Sequence, residues 1–309
     1  GVDLVIANMV RRLSSDKIRI TIACLDKDSS YDDLDIFVIP DRVSSLRRLV
    51  EALKPDLVIA HTYPFFEYVN ALDPRLPIIA WEYGDPTPSL LTDSARKFIE
   101  GQKNIKSTQT YARCKAIIAI SKFIRQDIKC PKAQVIYLGC DHVPDQGEKS
   151  RDLFLQKTRP KLKIGMLNRL GTEENRYKNV GAYIELAKIL NAKEQKFEMH
   201  FMGKGTSKDA RSLENAGFHV HLNASEEDKL VFYRDLDVFV TMSLWEGFNL
   251  PLGEAQASGT LSLALKTGAH PEVTPFTFKN VKEMATFIRK VAADRMTLFE
   301  SSKRCYRHA

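Results

Sequence analysis

The chain has 309 residues, enough for two domains of ordinary size, and its 44% hydrophobic and 28% charged residues are typical of a soluble globular protein. No apolar run approaches the roughly 20 residues that a membrane-spanning helix needs. Five cysteines are scattered along the chain without a C-x-x-C pair, which argues against a zinc site or a disulfide framework and favours a reducing, cytoplasmic location.

Short apolar runs alternate with helical patterns along the chain. They predict eleven strands, at Ile18–Cys24, Asp35–Ile39, Asp56–Ala60, Pro77–Trp81, Ala116–Ile120, Val135–Tyr137, Leu162–Leu167, Phe197–Met202, His219–Leu222, Val238–Met242 and Leu261–Leu265. Apolar residues at helical spacing predict helices at Val43–Leu53, Val180–Leu190 and Glu226–Tyr233, among others. Repeated strand–helix alternation predicts parallel sheets with right-handed crossovers, and therefore an α/β fold.

The number of strands predicts more than one domain, because eleven strands in one open sheet would be unusual. The polar segment Asp141–Pro160 is typical of a linker. We therefore predict two Rossmann-like, doubly wound domains, at residues 1–145 and 161–309, joined by a linker at 146–160. Ligands of such sheets bind beyond the carboxyl ends of the strands, so we expect the site in a cleft between the domains.

The two ends of the chain both carry a helical pattern. We expect that a strand with a phosphate-facing turn is missing at the start and that a closing helix is missing at the end.

Positive charge is concentrated in residues 96–132. This segment holds ten Lys or Arg residues against two acidic residues, Glu100 and Asp127, in a chain whose net charge is +7. One interpretation is a solvated helical face, and the other is a surface that meets anionic lipid head groups or a phosphorylated acceptor. No nucleic-acid-binding motif accompanies the segment, so we expect no nucleic-acid partner.

Two glutamates, Glu246 and Glu254, stand eight positions apart in the most informative stretch, residues 243–259. The apolar run Val238–Met242 predicts a buried strand before this stretch, and Pro251 suits the first turn of a helix within it. Free backbone N–H groups at such a helix start favour an anion such as a diphosphate. We expect Glu246 in the turn and Glu254 on the first helical turn, facing a polar ligand, although a glutamate there is also explained by the helix dipole.

A second stretch of interest follows the predicted strand Leu162–Leu167. It is a polar loop with Arg169, Arg176 and Lys178, and a helix is predicted to begin near Asn179. Cations in this loop would neutralise a diphosphate leaving group, whereas in most proteins such side chains are only solvated.

Two further patterns are weak signals. Gly203 ends a predicted strand in a glycine turn, which any tight turn can contain. Asp-Leu-Asp occurs at Asp33–Asp35 and Asp235–Asp237, as in metal-binding D-x-D motifs. Carboxylates in polar turns are usually solvated and hard cations need more oxygen ligands, so we expect no metal.

Several segments, in order, resemble the retaining glycosyltransferases of family 4 (glycosyl transferases group 1), which have the two-domain glycosyltransferase-B (GT-B) fold. Residues 246–259 resemble the E-x7-E signature of that family. The other similar segments are Ala119–Arg125, Val135–Asp141, Asn168–Leu170 with Lys178–Asn179, and Gly268–Glu272.

The resemblance implies a role for each matching residue. Glu246 would contact a hydroxyl of the transferred sugar, and Arg169 and Lys178 would hold the diphosphate, with Arg176 as a competitor. The remaining donor-binding residues that the resemblance implies are Glu254 at the ribose, Val220, His221 and Leu222 along the base, Phe248, Asn249 and Leu250 at the sugar and distal phosphate, Gly247 and Gly203.

One departure from the family concerns the acceptor side, in the first domain. The family usually has a histidine after the strand that corresponds to Pro77–Trp81, whereas this chain continues Glu-Tyr-Gly-Asp. Glu82, Tyr83 or Asp85 would stand in for it. His61 is either an acceptor contact or a loop histidine with backbone partners.

The resemblance implies a retaining, metal-independent transferase without a cofactor, which moves a sugar from a nucleotide-diphosphate sugar to a hydroxyl of a glycan or glycolipid, as in polysaccharide biosynthesis. We expect it in the cytoplasm, with peripheral contact at an anionic membrane surface through residues 96–132. One alternative is a nucleotide-sugar-binding regulatory or scaffold protein without transfer activity, and another is a sugar-nucleotide epimerase of the same fold.

Overall fold

The computed structural model describes residues 1–27, 31–143, 161–193 and 196–309. The predicted linker at 146–160 lies outside them. The chain divides into two compact units, one of residues 1–85 and 97–138 and the other of residues 86–96 and 139–309. None of the described helices is long and apolar enough to cross a membrane.

The described part of the first unit contains two parallel sheets. Its strands are β1 (Ile22–Cys24), β2 (Ile36–Val38), β3 (Val58–Ala60), β4 (Ile78–Glu82), β5 (Ala116–Ala119) and β6 (Ala133–Val135). The first two pair with each other, and the other four form one sheet in chain order. The helices of this part of the chain are α1 (Val2–Leu13), α2 (Val43–Leu53), α3 (Phe65–Tyr68), α4 (Asp93–Ile105), α5 (Tyr111–Arg113) and α6 (Lys122–Asp127).

The core of the first unit forms around the middle strands of the larger sheet. Ile78 and Ala80 alternate along β4 and are fully buried, and Ile117 of β5 packs in the same cluster. The amphipathic helix α2 contributes Leu46, and α3 contributes Phe66. Side chains two positions apart share one face of a strand, so this alternation fixes which face the helices cover.

The second unit holds one six-stranded parallel sheet in its described residues. Its strands are β7 (Leu162–Leu167), β8 (Phe197–Gly203), β9 (His219–Leu222), β10 (Val238–Thr241), β11 (Leu261–Leu265) and β12 (Thr277–Phe278). Its helices are α7 (Thr172–Lys178), α8 (Val180–Leu190), α9 (Ser207–Asn215), α10 (Glu226–Asp235), α11 (Leu250–Ala257), α12 (His270–Val273), α13 (Val281–Ala293) and α14 (Arg295–Tyr306).

The strand order of this sheet determines where a ligand would bind. The order is β9-β8-β7-β10-β11-β12, so the chain builds the sheet outward from β7 and then reverses at β10. Every residue of β10 and β11 is buried, which explains their unbroken apolar runs. In a doubly wound sheet the ligand site lies beyond the carboxyl ends of the strands at this reversal. The loops after β7 and β10 therefore border the expected site.

The structure confirms the predicted α/β fold of parallel sheets, and each of the eleven predicted strands overlaps an observed one. The strand predicted at Val135–Tyr137 lies two residues earlier, at β6, and the two-residue edge strand β12 was not predicted. The predicted polar loop before Asn179 is wrong in part, because Thr172–Lys178 forms the helix α7. That helix has acidic residues in its first turn and basic residues in its last, which suits the helix dipole. It has no apolar periodicity, and the prediction relied on that signal.

A buried ion cluster lies beside β4 in the first unit. A wide π-helical turn over Lys106–Thr110 joins α4 to α5 and places Lys106 inside the protein. Its Nζ lies 3.0 Å from Glu82 Oε2 and 2.6 Å from Asp85 Oδ2. The hydroxyl of Tyr111 donates to the other oxygen of Glu82, at 2.9 Å. Burial lowers the pKa of Lys106, but the two carboxylates outweigh it, so that its pKa lies above the ordinary value.

Lys106→Met would leave the Glu82 carboxylate buried without its cation. We expect the free energy of unfolding to fall by about 3–5 kcal/mol, as for other broken buried pairs. Lys103→Met is the matched control, because the Lys103–Asp127 pair is about one-third exposed, and we expect it to cost less than about 1 kcal/mol. Urea unfolding of both variants measures the difference, and equal losses would contradict the structural role of Lys106.

Candidate functional site

Two opposite charges meet beyond the carboxyl ends of β7 and β10. Lys178 is the last residue of α7, which follows β7, and Glu246 lies in the turn after β10. The ammonium group of Lys178 donates to Glu246 Oε1 at 2.7 Å. The Glu246 side chain is 8% exposed and that of Lys178 16%. The structure therefore brings together two of the three predicted catalytic residues as a nearly buried ion pair.

The carboxylate of Glu246 is held in its charged form. Burial raises the pKa of Glu246, but the charge of Lys178 and hydrogen bonds from Lys178 and Ser243 outweigh burial, and the pKa lies below its usual value. Glu246 is therefore an anion at neutral pH that can accept hydrogen bonds.

Asn249 fixes the turn that carries Glu246. It caps α11 in the left-handed region, with φ 76°, and its Oδ1 accepts a hydrogen bond from the amide of Leu252 at 3.2 Å. Its Nδ2 lies 3.2 Å from Glu246 Oε1 and 3.0 Å from His270 Nε2. One side chain thus starts the helix and holds the Glu246 carboxylate. Asparagine tolerates the left-handed conformation better than most residues, which explains its place here.

His270 is a buried neighbour of the site that the sequence prediction left outside its set of site residues. Its Nδ1 lies 2.7 Å from the carbonyl oxygen of Leu265, so Nδ1 carries the proton and Nε2 accepts from Asn249. Burial lowers the pKa of His270, which favours this neutral form. The Gly268–Glu272 motif was the signal for this position in the sequence.

Gly268 allows the loop after β11 to touch the turn after β10. Its φ is +53°, and a Cβ atom at this position would lie 2.4 Å from the carbonyl oxygen of Glu246. The next amide, of Ala269, donates to the same oxygen at 3.0 Å. Only glycine permits this approach, so the backbone of Glu246 is held from two sides.

Glu254 forms a second buried carboxylate centre. It is the fifth residue of α11 and therefore lies on the second helical turn, not on the first as predicted. Its Oε1 lies 2.8 Å from His142 Nε2 and 3.2 Å from Lys229 Nζ, and its Oε2 accepts from the Tyr233 hydroxyl at 2.8 Å. Burial raises the pKa of Glu254, but these hydrogen bonds and the charge of Lys229 outweigh it and lower the pKa. Helix-dipole placement alone does not explain a buried glutamate with three side-chain partners.

The partners of Glu254 were missed by the sequence prediction. His142 is 112 positions away in the chain, and Lys229 and Tyr233 lie on α10. No local pattern links these positions, because the packing of α10 against α11 brings Lys229 and Tyr233 to Glu254, and His142 comes from a distant segment.

The two arginines of the loop after β7 have different surroundings. Arg169 is exposed, and among the described residues no carboxylate forms an ion pair with it. Arg176 is also exposed, but its Nε donates to the carbonyl oxygen of Leu90 at 3.0 Å. Neither is in contact with Glu246, so Lys178 is the cation that the structure places there.

The remaining donor-side residues fall into two groups. Those after β10 are buried beside Asn249: Gly247 and Phe248 in the turn, and Leu250 at the first position of α11. The others lie on β8 and β9, at the far side of β7 from β10: Gly203, Val220, His221 and Leu222.

The residues on β8 and β9 have clear structural roles. Val220 and Leu222 pack against the core, whereas His221 is exposed on the opposite face. A Cβ atom at Gly203 would lie 1.7 Å from the carbonyl oxygen of Asn168, which explains the glycine by backbone packing.

In the first unit, the predicted acceptor-side residues form two clusters. His61 Nδ1 lies 3.1 Å from the Tyr83 hydroxyl, and the His61 ring stacks on Trp81 with centroids 5.8 Å apart. Burial lowers the pKa of His61 to about 4, so the ring is neutral at pH 7. Glu82 has both oxygens occupied in the buried ion cluster, whereas the Asp85 side chain keeps 20% exposure. His61, Tyr83 and Asp85 are thus partly exposed, whereas Glu82 is buried with both carboxylate oxygens hydrogen-bonded.

Gly268→Ala would force a side chain into the left-handed region against the Glu246 backbone. We expect a loss of about 1–3 kcal/mol in the free energy of unfolding. Gly181→Ala is the control, because a Cβ atom there meets nothing within 4 Å, and we expect it to be neutral or slightly stabilising. Chemical unfolding of both variants provides the comparison, and an unchanged stability in Gly268→Ala would refute the proposed constraint.

Comparison with known proteins gives two family matches. The model described as Glycosyltransferase Family 4 matches residues 1–143, and the model described as Glycosyl transferases group 1 matches residues 161–294. No curated protein sequence matches the chain by direct comparison.

Solved structures with the same architecture extend over most of the chain. HepE of Anabaena, crystallised in complex with UDP and glucose, superposes with a TM-score of 0.74 at 15% identity, covering 99% of this chain and 90% of that one. TarM gives 0.65 at 16% identity, covering 86% and 54%, so this chain spans about half the length of TarM. OtsA gives 0.63 at 13% identity, covering 86% and 73%. At these identities the likeness shows the fold.

Proposed function

Since the chain belongs to the glycosyltransferases of the GT-B fold, we propose that it is a retaining enzyme that moves a sugar from a nucleotide-diphosphate sugar to an acceptor hydroxyl. The observation that carries this proposal is the nearly buried Lys178–Glu246 pair at the strand-order reversal, beside the start of α11. The UDP complex of HepE supports a nucleotide-sugar donor for a protein of this fold.

The cations after β7 would stabilise the leaving diphosphate. Lys178 already contacts one anion, Glu246, and its ammonium group has three donors, so a phosphate oxygen can become its second partner. Arg169 is exposed and would add a second positive charge. The start of α11 contributes backbone N–H groups and the positive end of the helix dipole. Charge that develops on the leaving oxygen would thus meet preorganised donors.

The two buried glutamates would bind different hydroxyl groups of the donor. Glu246 lies beside Lys178 and would accept a hydrogen bond from the sugar. Glu254, the fifth residue of α11, would accept from the ribose. Its carboxylate has about four acceptor sites and the three partners His142, Lys229 and Tyr233, so one site remains for a hydroxyl. Because both carboxylates are held in the charged form, neither needs to lose a proton before it binds a hydroxyl.

In the proposed reaction the acceptor oxygen forms a bond to the anomeric carbon while the bond from that carbon to the phosphate oxygen breaks. The acceptor proton passes to the departing phosphate oxygen, on the same face of the sugar, which retains the configuration. The transfer needs neither a metal nor a covalent enzyme intermediate. His61, Tyr83 and Asp85 of the first unit, which are partly exposed, would bind the acceptor.

Lys178→Ala removes the cation beside Glu246. We expect the transfer rate to fall by about 100-fold or more, as when one preorganised donor is lost from a site of charge development. Lys188→Ala is the control, because Lys188 is exposed on α8, and it should transfer at the wild-type rate. The assay uses UDP-, GDP- and ADP-sugars with hydroxyl acceptors, and near-wild-type activity in Lys178→Ala would exclude the assigned role.

The same assay separates the proposed activity from the alternatives. A product with inverted anomeric configuration, determined by NMR, would overturn the retaining mechanism. If the chain is stabilised by a nucleotide sugar but neither transfers nor hydrolyses it, the protein is a nucleotide-sugar-binding partner and not a transferase.

We also propose that the acceptor is lipid-linked or anionic and that residues 96–132 rest on a membrane surface. Within this segment Lys103 and Lys106 are ion-paired, whereas Lys97 and Lys115 are exposed. Phe98 is 47% exposed on α4, beside Lys97, and offers an apolar contact for the same surface. Exposed cations, one of them next to an exposed aromatic ring, suit an anionic lipid interface.

Cosedimentation with anionic liposomes tests this surface. We expect binding at low salt that is lost at high salt, because screening weakens contacts between exposed charges. The double substitution Lys97→Glu/Lys115→Glu should weaken binding by about tenfold or more, while Lys188→Glu on the second unit should not. Failure to bind at low salt, or equal weakening in both variants, would reject this surface.

A further inference from the structure

Three side chains with metal-ligating atoms meet on the sheet of the second unit. Glu198 and His200 are two positions apart on β8, so their side chains project from the same face. His219 of β9 pairs with His200 in the strand register. One ligand atom from each of these three residues lies within 4.8 Å of the others. The register of two neighbouring strands therefore creates the cluster.

His200 Nε2 gives an independent indication that this cluster lacks a component. This nitrogen is buried and has no hydrogen-bond partner among the described residues. The nearest carboxylate oxygen, Glu198 Oε2, lies 3.6 Å away, too far for a hydrogen bond. Buried polar atoms are nearly always satisfied, so an orphan nitrogen that faces a carboxylate needs a partner.

A neighbouring lysine and a further histidine also bear on cation binding at the cluster. Lys163, which lies near His200, is paired with Asp235 at 2.5 Å, so its charge is compensated. The His219 ring stacks on the His200 ring with centroids 4.7 Å apart. His221 lies on the same face of β9, with its ring centroid 6.2 Å from that of His200. A further imidazole thus stands within reach of the same region.

We propose that Glu198, His200 and His219 bind a divalent transition-metal ion, with Zn²⁺ as the best match. Two imidazoles and one carboxylate suit zinc, copper or nickel, whereas Mg²⁺ and Ca²⁺ prefer oxygen ligands only. Water or His221 would complete a tetrahedral site. The spacing of the cysteines alone argued against a zinc site. That spacing gives no information about histidines that strand pairing brings together.

The ion would act as a structural clip. Its ligands come from two strands, and β9 is the edge strand of the sheet, hydrogen-bonded to β8 alone among the described strands. A metal ion that ligates both strands would fasten β9 to β8 and add stability to the native state only. This role is independent of the proposed transfer reaction, so a failure of one leaves the other intact.

The test is a Zn²⁺ titration of the full chain after treatment with EDTA, followed by calorimetry and thermal unfolding. We expect one ion per chain and a rise of about 4 °C or more in the apparent Tm at saturation, with little effect of Mg²⁺.

His219→Ala, at an exposed position, should weaken Zn²⁺ binding by at least about tenfold, and Glu198→Gln should also weaken it. His308→Ala, an exposed histidine outside the cluster, should leave it unchanged.

Substitution with Co²⁺ identifies the ligands. We expect the visible absorption of a tetrahedral nitrogen and oxygen site, without a thiolate-to-metal charge-transfer band. Absence of saturable Zn²⁺ binding, or an affinity that is the same in His219→Ala as in the wild type, would overturn the proposal. A thiolate band would place the ion on the cysteines and would overturn it as well.

Discussion

A buried carboxylate must be compensated by a cation or by several hydrogen-bond donors, and this constraint organises both units of the chain. Glu246 is paired with Lys178, Glu254 with Lys229 and with hydrogen bonds to His142 and Tyr233, and Glu82 with Lys106. Each pair joins elements that are distant in the chain. The electrostatic requirement therefore ties helices and turns to partners in other elements.

Glu82 and Glu246 differ in the exposure of their partners, and this difference bears on which of them a ligand can reach. Glu82 has both oxygens occupied by groups that are themselves buried, so it stabilises β4 and α5 and is closed to ligands. Lys178 keeps part of its side chain exposed beside Glu246. A cation that is paired and still partly accessible can exchange or share its partner when an anionic ligand arrives.

The sheet of the second unit supplies the positions for this chemistry. The strand order reverses between β7 and β10, so the loops that follow these two strands run in opposite directions. This leaves space for a ligand between them. One loop leads through α7 to Lys178, and the other leads through the turn of Glu246 to α11. The left-handed Asn249 and the close approach of Gly268 fix the second loop. Because the backbone of this loop is already rigid, ligand binding would cost little conformational entropy for ordering it.

The sequence by itself determined the alternation of strands and helices, since period-two and period-3.6 patterns record which faces are buried. It also located Glu246, Lys178 and the helix start, because a glycine-bearing turn and a proline leave a local signature. Tertiary structure alone decided that Glu254 has His142 as a partner, that Lys106 closes Glu82 to ligands, and that His200 meets His219. These pairs arise from packing between distant segments, and periodicity within one segment carries no information about what lies across from it.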